Sequence, residues 1–77
     1  MDNAEIMQAI KYHRENLGFT SSEVAAAIGY DVSKYSRLEN NHQHITAVEL
    51  VKISKLFKMS IDDLIVIPSK KRARHYR

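Results

Sequence analysis

The stretch from Thr20 to Asn40 reads TSSEVAAAIGYDVSKYSRLEN, and its hydrophobic residues recur at spacings of three and four. This spacing is typical of α-helices that bury one face. Thr20 and Glu23 form a capping box, which predicts a helix start, and Gly29 can adopt a positive φ at no steric cost. The stretch therefore predicts two short helices joined by a three- to four-residue turn, which is the arrangement of a helix-turn-helix.

The second of these predicted helices has two different faces. The residues expected to point inward from the pair are Val24, Ile28, Tyr35 and Leu38. The outward face of the second helix carries only hydroxyl and cationic groups, from Ser33, Lys34, Ser36 and Arg37. Such groups suit the base edges and phosphates of a nucleic acid. The alternative is a plain helical bundle in which Arg37 is a solvated surface charge and the serines are merely exposed.

The same signals recur along the rest of the chain. Further helix caps are predicted at Asp2 or Asn3, Asp31, Thr46 and Ser60. Each cap from Thr20 onward follows a hydrophobic residue that can pack against a residue five positions later, as in a hydrophobic staple. The predicted helices span about 2–17, 20–28, 31–40, 46–57 and 60–66, with short linkers. The sequence therefore predicts an all-α fold of five helices.

The composition limits the size and the chemistry of the protein. With 77 residues and no cysteine, the chain has room for one small domain and lacks a disulfide framework, a thiolate zinc finger and a catalytic cysteine. No hydrophobic run approaches the ~20 residues that span a bilayer, and no signal peptide precedes the first periodic segment. We expect a cytoplasmic protein that is not membrane-associated, with a domain at residues 1–67 and a flexible basic tail at 68–77.

The net charge of +3 is unevenly distributed. Five basic residues and no acidic one fall in the last eight positions: Lys70, Lys71, Arg72, Arg74 and Arg77. Residues 1–69 then hold seven basic against nine acidic residues, so any polyanion must be bound there through local charge placement. The tail is a DNA-backbone arm, a contact for RNA or protein, or a solubilising segment.

Two stretches together resemble a known family. Residues 20–40, with TAVELVKISKLFKMSIDDL at 46–64, are similar to the Cro/C1-type (Xre-like) helix-turn-helix of phage repressors and small bacterial regulators. The resemblance covers about residues 5 to 65. It implies a five-helix lambda-repressor-like DNA-binding domain with the helix-turn-helix at helices 2 and 3. It also implies that the third helix enters the major groove of double-stranded DNA, usually in a homodimer.

The resemblance implies roles for individual residues. Val32, Ser33 and Arg37 take the base-reading positions, and Lys34 and Ser36 lie beside them, near base or backbone. Phosphate contacts are implied for Ser21, Asn40 and the loop residues Asn41, His42 and His44. Arg14 and Glu39 match an ion pair that ties the first helix to the end of the third in some relatives.

The sequence departs from the family pattern at five positions. Ser21 replaces the usual Gln, which removes a side chain able to make a bidentate contact with DNA. Val32 replaces the polar residue that usually hydrogen-bonds a base edge, although it can touch a thymine methyl. His13 occupies a usual core position. Asn41 and Lys58 stand where the family usually has Gly; Asn is the next-best left-handed residue, whereas Lys costs ~1 kcal/mol there.

The histidines and tyrosines have simple structural interpretations. His42 and His44 lie in a loop without cysteine or a nearby acid, so neither a metal nor a cofactor is predicted, and a phosphate contact that strengthens below neutral pH is favoured. His13 is expected in or near the core. Tyr12 and Tyr35 are expected to pack with their hydroxyls in water.

The segment Leu64-Ile65-Val66-Ile67 is more hydrophobic than the end of a surface helix requires. It predicts either a dimer interface formed by Ile65, Val66 and Ile67, or simply core. A homodimer would read two half-sites about one helical turn apart.

Three functions compete on the sequence alone. The first is a sequence-specific transcriptional regulator, in particular a repressor, that binds a near-palindromic operator as a homodimer. The second is an antitoxin or anti-repressor module that binds a protein partner, with DNA binding secondary. An enzyme is not predicted, because the sequence shows no nucleophile–base pair, phosphate-binding Gly loop or paired carboxylates.

Overall fold

The computed structural model describes residues 1–68, and these residues form five α-helices. The helices are α1 (Asn3–Leu17), α2 (Ser21–Ile28), α3 (Val32–Glu39), α4 (Ala47–Phe57) and α5 (Ile61–Leu64). Each begins after a capping residue whose side chain accepts a hydrogen bond from the backbone amide three residues later. The capping residues are Asp2, Thr20, Asp31, Thr46 and Ser60. The predicted caps are thus confirmed, and Asp2 rather than Asn3 caps the first helix.

The first four helices end in the same hydrogen-bonded turn. A residue with positive φ follows each one: Gly18 (83°), Gly29 (79°), Asn41 (66°) and Lys58 (57°). At each end two amides reach back to carbonyls of the last turn in the Schellman pattern, for example Tyr30 to Ala25 at 2.8 Å. The left-handed conformation predicted for Gly29 is confirmed, and Gly18, Asn41 and Lys58 adopt it as well.

Three of the four connections are three residues long. In each, a hydrophobic residue lies between the left-handed residue and the next cap, and it is partly buried against the core: Phe19, Tyr30 and Met59. The amide of each of these residues donates to a carbonyl oxygen in the last turn of the preceding helix, and the residue itself precedes the cap of the next helix. The angle between consecutive helices is therefore set by a side chain held in the core.

The core lies between all five helices and holds the helix-turn-helix rigid. Its largest fully buried side chains are Tyr35, Met7, Ile10, Leu38, Ile53, Leu64 and Val24. Phe19 stacks on Phe57 with ring centroids 5.2 Å apart, which joins the start of α2 to α4. His13 is buried, as predicted, whereas Ala27 follows the helical spacing but is exposed.

The end of the domain differs from the prediction. A helix over 60–66 was expected, but α5 ends at Leu64, and Val66 and Ile67 lie outside it. His13 Nε2 donates to the carbonyl oxygen of Val66 at 2.8 Å, which directs that carbonyl to α1. Pro68 further disfavours helical geometry at Ile67. Apart from Pro68, the predicted flexible tail lies outside the described residues.

Candidate DNA interface

One face of α3 is formed entirely by exposed side chains. Tyr35 and Leu38 are 0% exposed on the other face and attach the helix to the core. The residues predicted to face bases are all exposed: Val32, Ser33, Lys34, Ser36 and Arg37. The structure therefore brings these five together on a helix whose opposite face is immobilised by packing.

Two of the five side chains are already engaged within the domain. The Lys34 ammonium lies 4.2 Å from the centre of the Tyr30 ring, within the range of a cation–π contact. The Asn40 amide donates to the carbonyl oxygen of Ser36 at 2.8 Å and to its hydroxyl at 3.3 Å. Among residues 1–68, no hydrogen bond or ion pair engages the side chains of Ser33 and Arg37. These two are the polar groups of the face that a ligand can meet without breaking an internal contact.

A buried ionic cluster fixes the end of α3. Arg14 donates from Nε and Nη2 to the two carboxylate oxygens of Glu39, at 2.9 and 3.1 Å, and from Nη1 to the carbonyl oxygen of Phe19 at 2.9 Å. Only 12% of the Arg14 side chain and 8% of the Glu39 side chain are exposed. The hydrogen bonds with Glu39 raise the pKa of Arg14 above its ordinary value. One guanidinium thus joins α1, the connection between α1 and α2, and the end of α3.

Tyr35 completes this cluster, and the prediction of a hydroxyl in water was wrong for it. The Tyr35 hydroxyl donates to Glu39 Oε2 at 2.5 Å, and the residue is fully buried. The pKa of Tyr35 is raised well above its ordinary value, mainly because the phenol is buried and secondly because it donates a hydrogen bond to Glu39. The spacing of four between Tyr35 and Glu39 on one helix was the available signal, since such residues are neighbours on a helix surface.

The predicted phosphate-contacting residues fall in two places. Ser21 is partly buried at the first position of α2, beside the capping box in which Thr20 and Glu23 exchange hydrogen bonds. Asn40, Asn41, His42 and His44 are exposed in the connection between α3 and α4. No group of three or more potential metal ligands is found among the residues that the structure describes.

The predicted dimer segment is accessible in part. Ile65 is partly buried, whereas Val66 and Ile67 are 40% and 47% exposed. The three residues line a shallow depression together with Met1 and with Glu5 and Gln8 near the start of α1. Leu64 belongs to the core, so the segment divides between core and surface.

The comparison with known families agrees with this architecture. The family model described as helix-turn-helix matches residues 10–64, which include α2, α3, α4 and α5. The chain therefore belongs to the helix-turn-helix family of the Cro/C1 type, a family of DNA-binding regulators that is not typically enzymatic. A search of curated proteins and a search of solved structures each gave no match.

The family membership confirms the predicted all-helical fold and the resemblance to Cro/C1-type proteins. Within residues 1–68, no helix combines the length and the hydropathy needed to cross a membrane.

Proposed function

We propose that this protein is a sequence-specific transcriptional regulator, acting as a repressor, that places α3 in the major groove of its operator. The observation that carries the proposal is the α3 face, where Ser33 and Arg37 are exposed on a helix held by buried Tyr35 and Leu38. A rigid helix narrow enough for the groove presents a guanidinium that can pair with guanine and a hydroxyl that suits several bases. Val32 offers contact with a thymine methyl.

The surrounding contacts support the same docking. Lys34, held over Tyr30, and Ser36, bonded by Asn40, lie beside Ser33 and Arg37, where phosphates or base edges are within reach. The first amides of a helix lack intrahelical acceptors, so the start of α2 at Ser21 suits a phosphate. The connection after α3 meets a second phosphate through Asn40, Asn41, His42 and His44.

In this proposal the protein represses by occupying its operator, and it acts in the cytoplasm. In this proposal two copies associate through Ile65, Val66 and Ile67 and bind a near-palindromic site. The support is the exposure of Val66 and Ile67 beside Met1, a hydrophobic area that a second copy would cover.

Selection of bound duplexes from a random DNA pool tests the proposal. The wild type is expected to enrich one short motif, and Arg37→Ala is expected to lose the preference at one base position, with a discrimination loss of ~1–3 kcal/mol. Arg37→Lys retains the charge, so it separates base reading from phosphate contact. Equal weakening on all sequences would make Arg37 a phosphate contact, and an unenriched wild-type pool would contradict sequence-specific binding.

A second function draws on the same exposed segment. Val66 and Ile67 next to a basic tail would also suit a protein partner of an antitoxin or anti-repressor module. A stoichiometric partner that binds the purified protein but not the Ile67→Asp variant, with DNA selection unchanged, would favour this function. A self-associating protein with no such partner favours the repressor.

A further inference from the structure

The connection between α3 and α4 is built differently from the other three. It spans residues 40–46, and the residue after its left-handed Asn41 is the exposed His42 rather than a partly buried hydrophobic residue. The hydrophobic anchor comes only at Ile45, which packs against the core. The part of the connection between Asn41 and Ile45 therefore lacks the side-chain anchor that holds the shorter turns.

The side chain of Asn3, at the start of α1, supplies three hydrogen bonds to this segment. Its Nδ2 donates to Asn41 Oδ1 at 2.6 Å and to the carbonyl oxygen of Gln43 at 3.1 Å. Its Oδ1 accepts the amide hydrogen of Ile45 at 2.9 Å. One primary amide thus binds every second residue of the segment, across about forty positions of sequence.

We propose that Asn3 is a positioning residue for DNA binding, which holds the exposed residues Asn41, His42 and His44 in the conformation that meets the phosphate backbone. This inference rests on the proposed function. It assigns Asn3 no contact with DNA; the residue acts by removing conformational freedom from the segment before the duplex arrives.

The chemistry of the side chain is specific to an amide. Only a group with two donor hydrogens and an acceptor oxygen can make all three bonds, and among side chains of this length Asn alone has both. Asp at position 3 keeps the acceptor for the Ile45 amide and loses both donations. Ala loses all three bonds.

Ethylation interference on the selected operator tests the proposal, because it reports on each phosphate separately. The double variant His42→Ala, His44→Ala first identifies the phosphates that face the α3–α4 connection. These are the phosphates whose ethylation interferes with binding of the wild type but not of the double variant. In Asn3→Ala we expect the same phosphates to lose interference, those near the start of α2 to retain it, and affinity to fall about tenfold. The base preference in the random pool should not change, because α3 is untouched.

The control is Asn16→Ala, the same substitution at an exposed site near the other end of α1. It should leave affinity and every phosphate contact as in the wild type. If Asn3→Ala does not fold, Asn3→Asp is used, since an acidic residue in the first helical turn is favourable.

The outcomes separate the two proposals. A wild type that enriches no motif contradicts the proposed function. In the other case, the wild type enriches a motif, but Asn3→Ala and Asn3→Asp still contact the loop-facing phosphates and bind with unchanged affinity. That result overturns only the proposed role of Asn3 and leaves the proposed function standing. A wild type with no phosphate sensitive to the histidine double variant overturns it as well.

Discussion

Glu39 is the acceptor on which the rigidity of α3 depends. Its carboxylate binds two nitrogens of Arg14 and the hydroxyl of Tyr35, and all three groups are largely withdrawn from water. Removing one partner of a buried ionic pair leaves the other unpaired, which costs more than an exposed pair contributes.

We predict that Arg14→Ala lowers the free energy of unfolding by ~3–5 kcal/mol. Tyr35→Phe, which removes one neutral donor and keeps the ring, should cost only ~1–2 kcal/mol. Urea denaturation measures both, and Lys11→Ala on the exposed side of α1 is the control, with a change within ~0.5 kcal/mol. An Arg14→Ala variant as stable as this control would show that the cluster does not stabilise the fold.

The raised pKa of Tyr35 predicts a pH dependence with a definite sign. Below about pH 10 the phenol is protonated in both states; above it the unfolded chain releases the proton and the folded one keeps it. The unfolded state then binds fewer protons, so stability falls as pH rises, by at most ~1.4 kcal/mol per pH unit from this group. In Tyr35→Phe the decline between about pH 10 and about pH 11.5 should be shallower than in the wild type. Urea denaturation across that range measures it; parallel declines would show that the phenol ionises equally in both states.

At the residue scale the sequence was informative where the partner is near in the chain. Each cap and its amide are three residues apart, so the five caps could be predicted. The bonds of Asn3 could not, because their partners are about forty positions away and depend on how α1 packs beside α3 and α4.

At the scale of the element, the helix ends show one position with an unfavourable residue. Lys58 has a φ of 57°, a conformation that its Cβ disfavours and that Gly adopts freely.

We predict that Lys58→Gly raises the free energy of unfolding by about 1 kcal/mol. Lys58→Ala removes the same charged group but keeps the Cβ, so it should bring no comparable gain. Thermal denaturation of the two variants separates the backbone effect from the removal of charge. Equal stability in both would mean that the left-handed turn imposes no strain on Lys58.

The helix boundaries were predicted well wherever caps and left-handed residues mark them. The first four helices end where Gly18, Gly29, Asn41 and Lys58 require. The last helix was predicted too long, because hydrophobic spacing alone continued to Val66, while the contact between Val66 and His13 turns the chain onto α1.

At the scale of the whole molecule, charge placement matters more than total charge. The acidic residues outnumber the basic ones over residues 1–69, yet the α3 face carries Lys34 and Arg37 with no acid between Val32 and Leu38. The tail adds five further positive charges.

Deleting residues 70–77 should flatten the dependence of log affinity on log salt by about 0.9 for every phosphate that the tail neutralises. The motif enriched from a random pool should stay the same, since the α3 face is unchanged. Binding titrations at several salt concentrations measure the slope. An unaltered slope would contradict the interpretation of the tail as a DNA-backbone arm.

Self-association provides the second test at this scale. If Ile65, Val66 and Ile67 form the dimer interface, Ile67→Asp should raise the dimer dissociation constant by about tenfold or more, because it places a charge in a hydrophobic contact. Sedimentation measures the association, and Val48→Asp, which places the same charge at an exposed hydrophobic site on α4, is the control. Dissociation by Val48→Asp alone would place the interface on α4 instead.

The sequence by itself determined the five helices, their caps, their left-handed ends and the polar face of α3, because each depends on residues within five positions of one another. Only the tertiary structure decided the buried hydroxyl of Tyr35, the shortened α5 and the attachment of the α3–α4 connection to Asn3. These features depend on which surfaces meet when the helices pack, and a side chain on one helix carries no local sign of the distant carbonyl or carboxylate that it will bind.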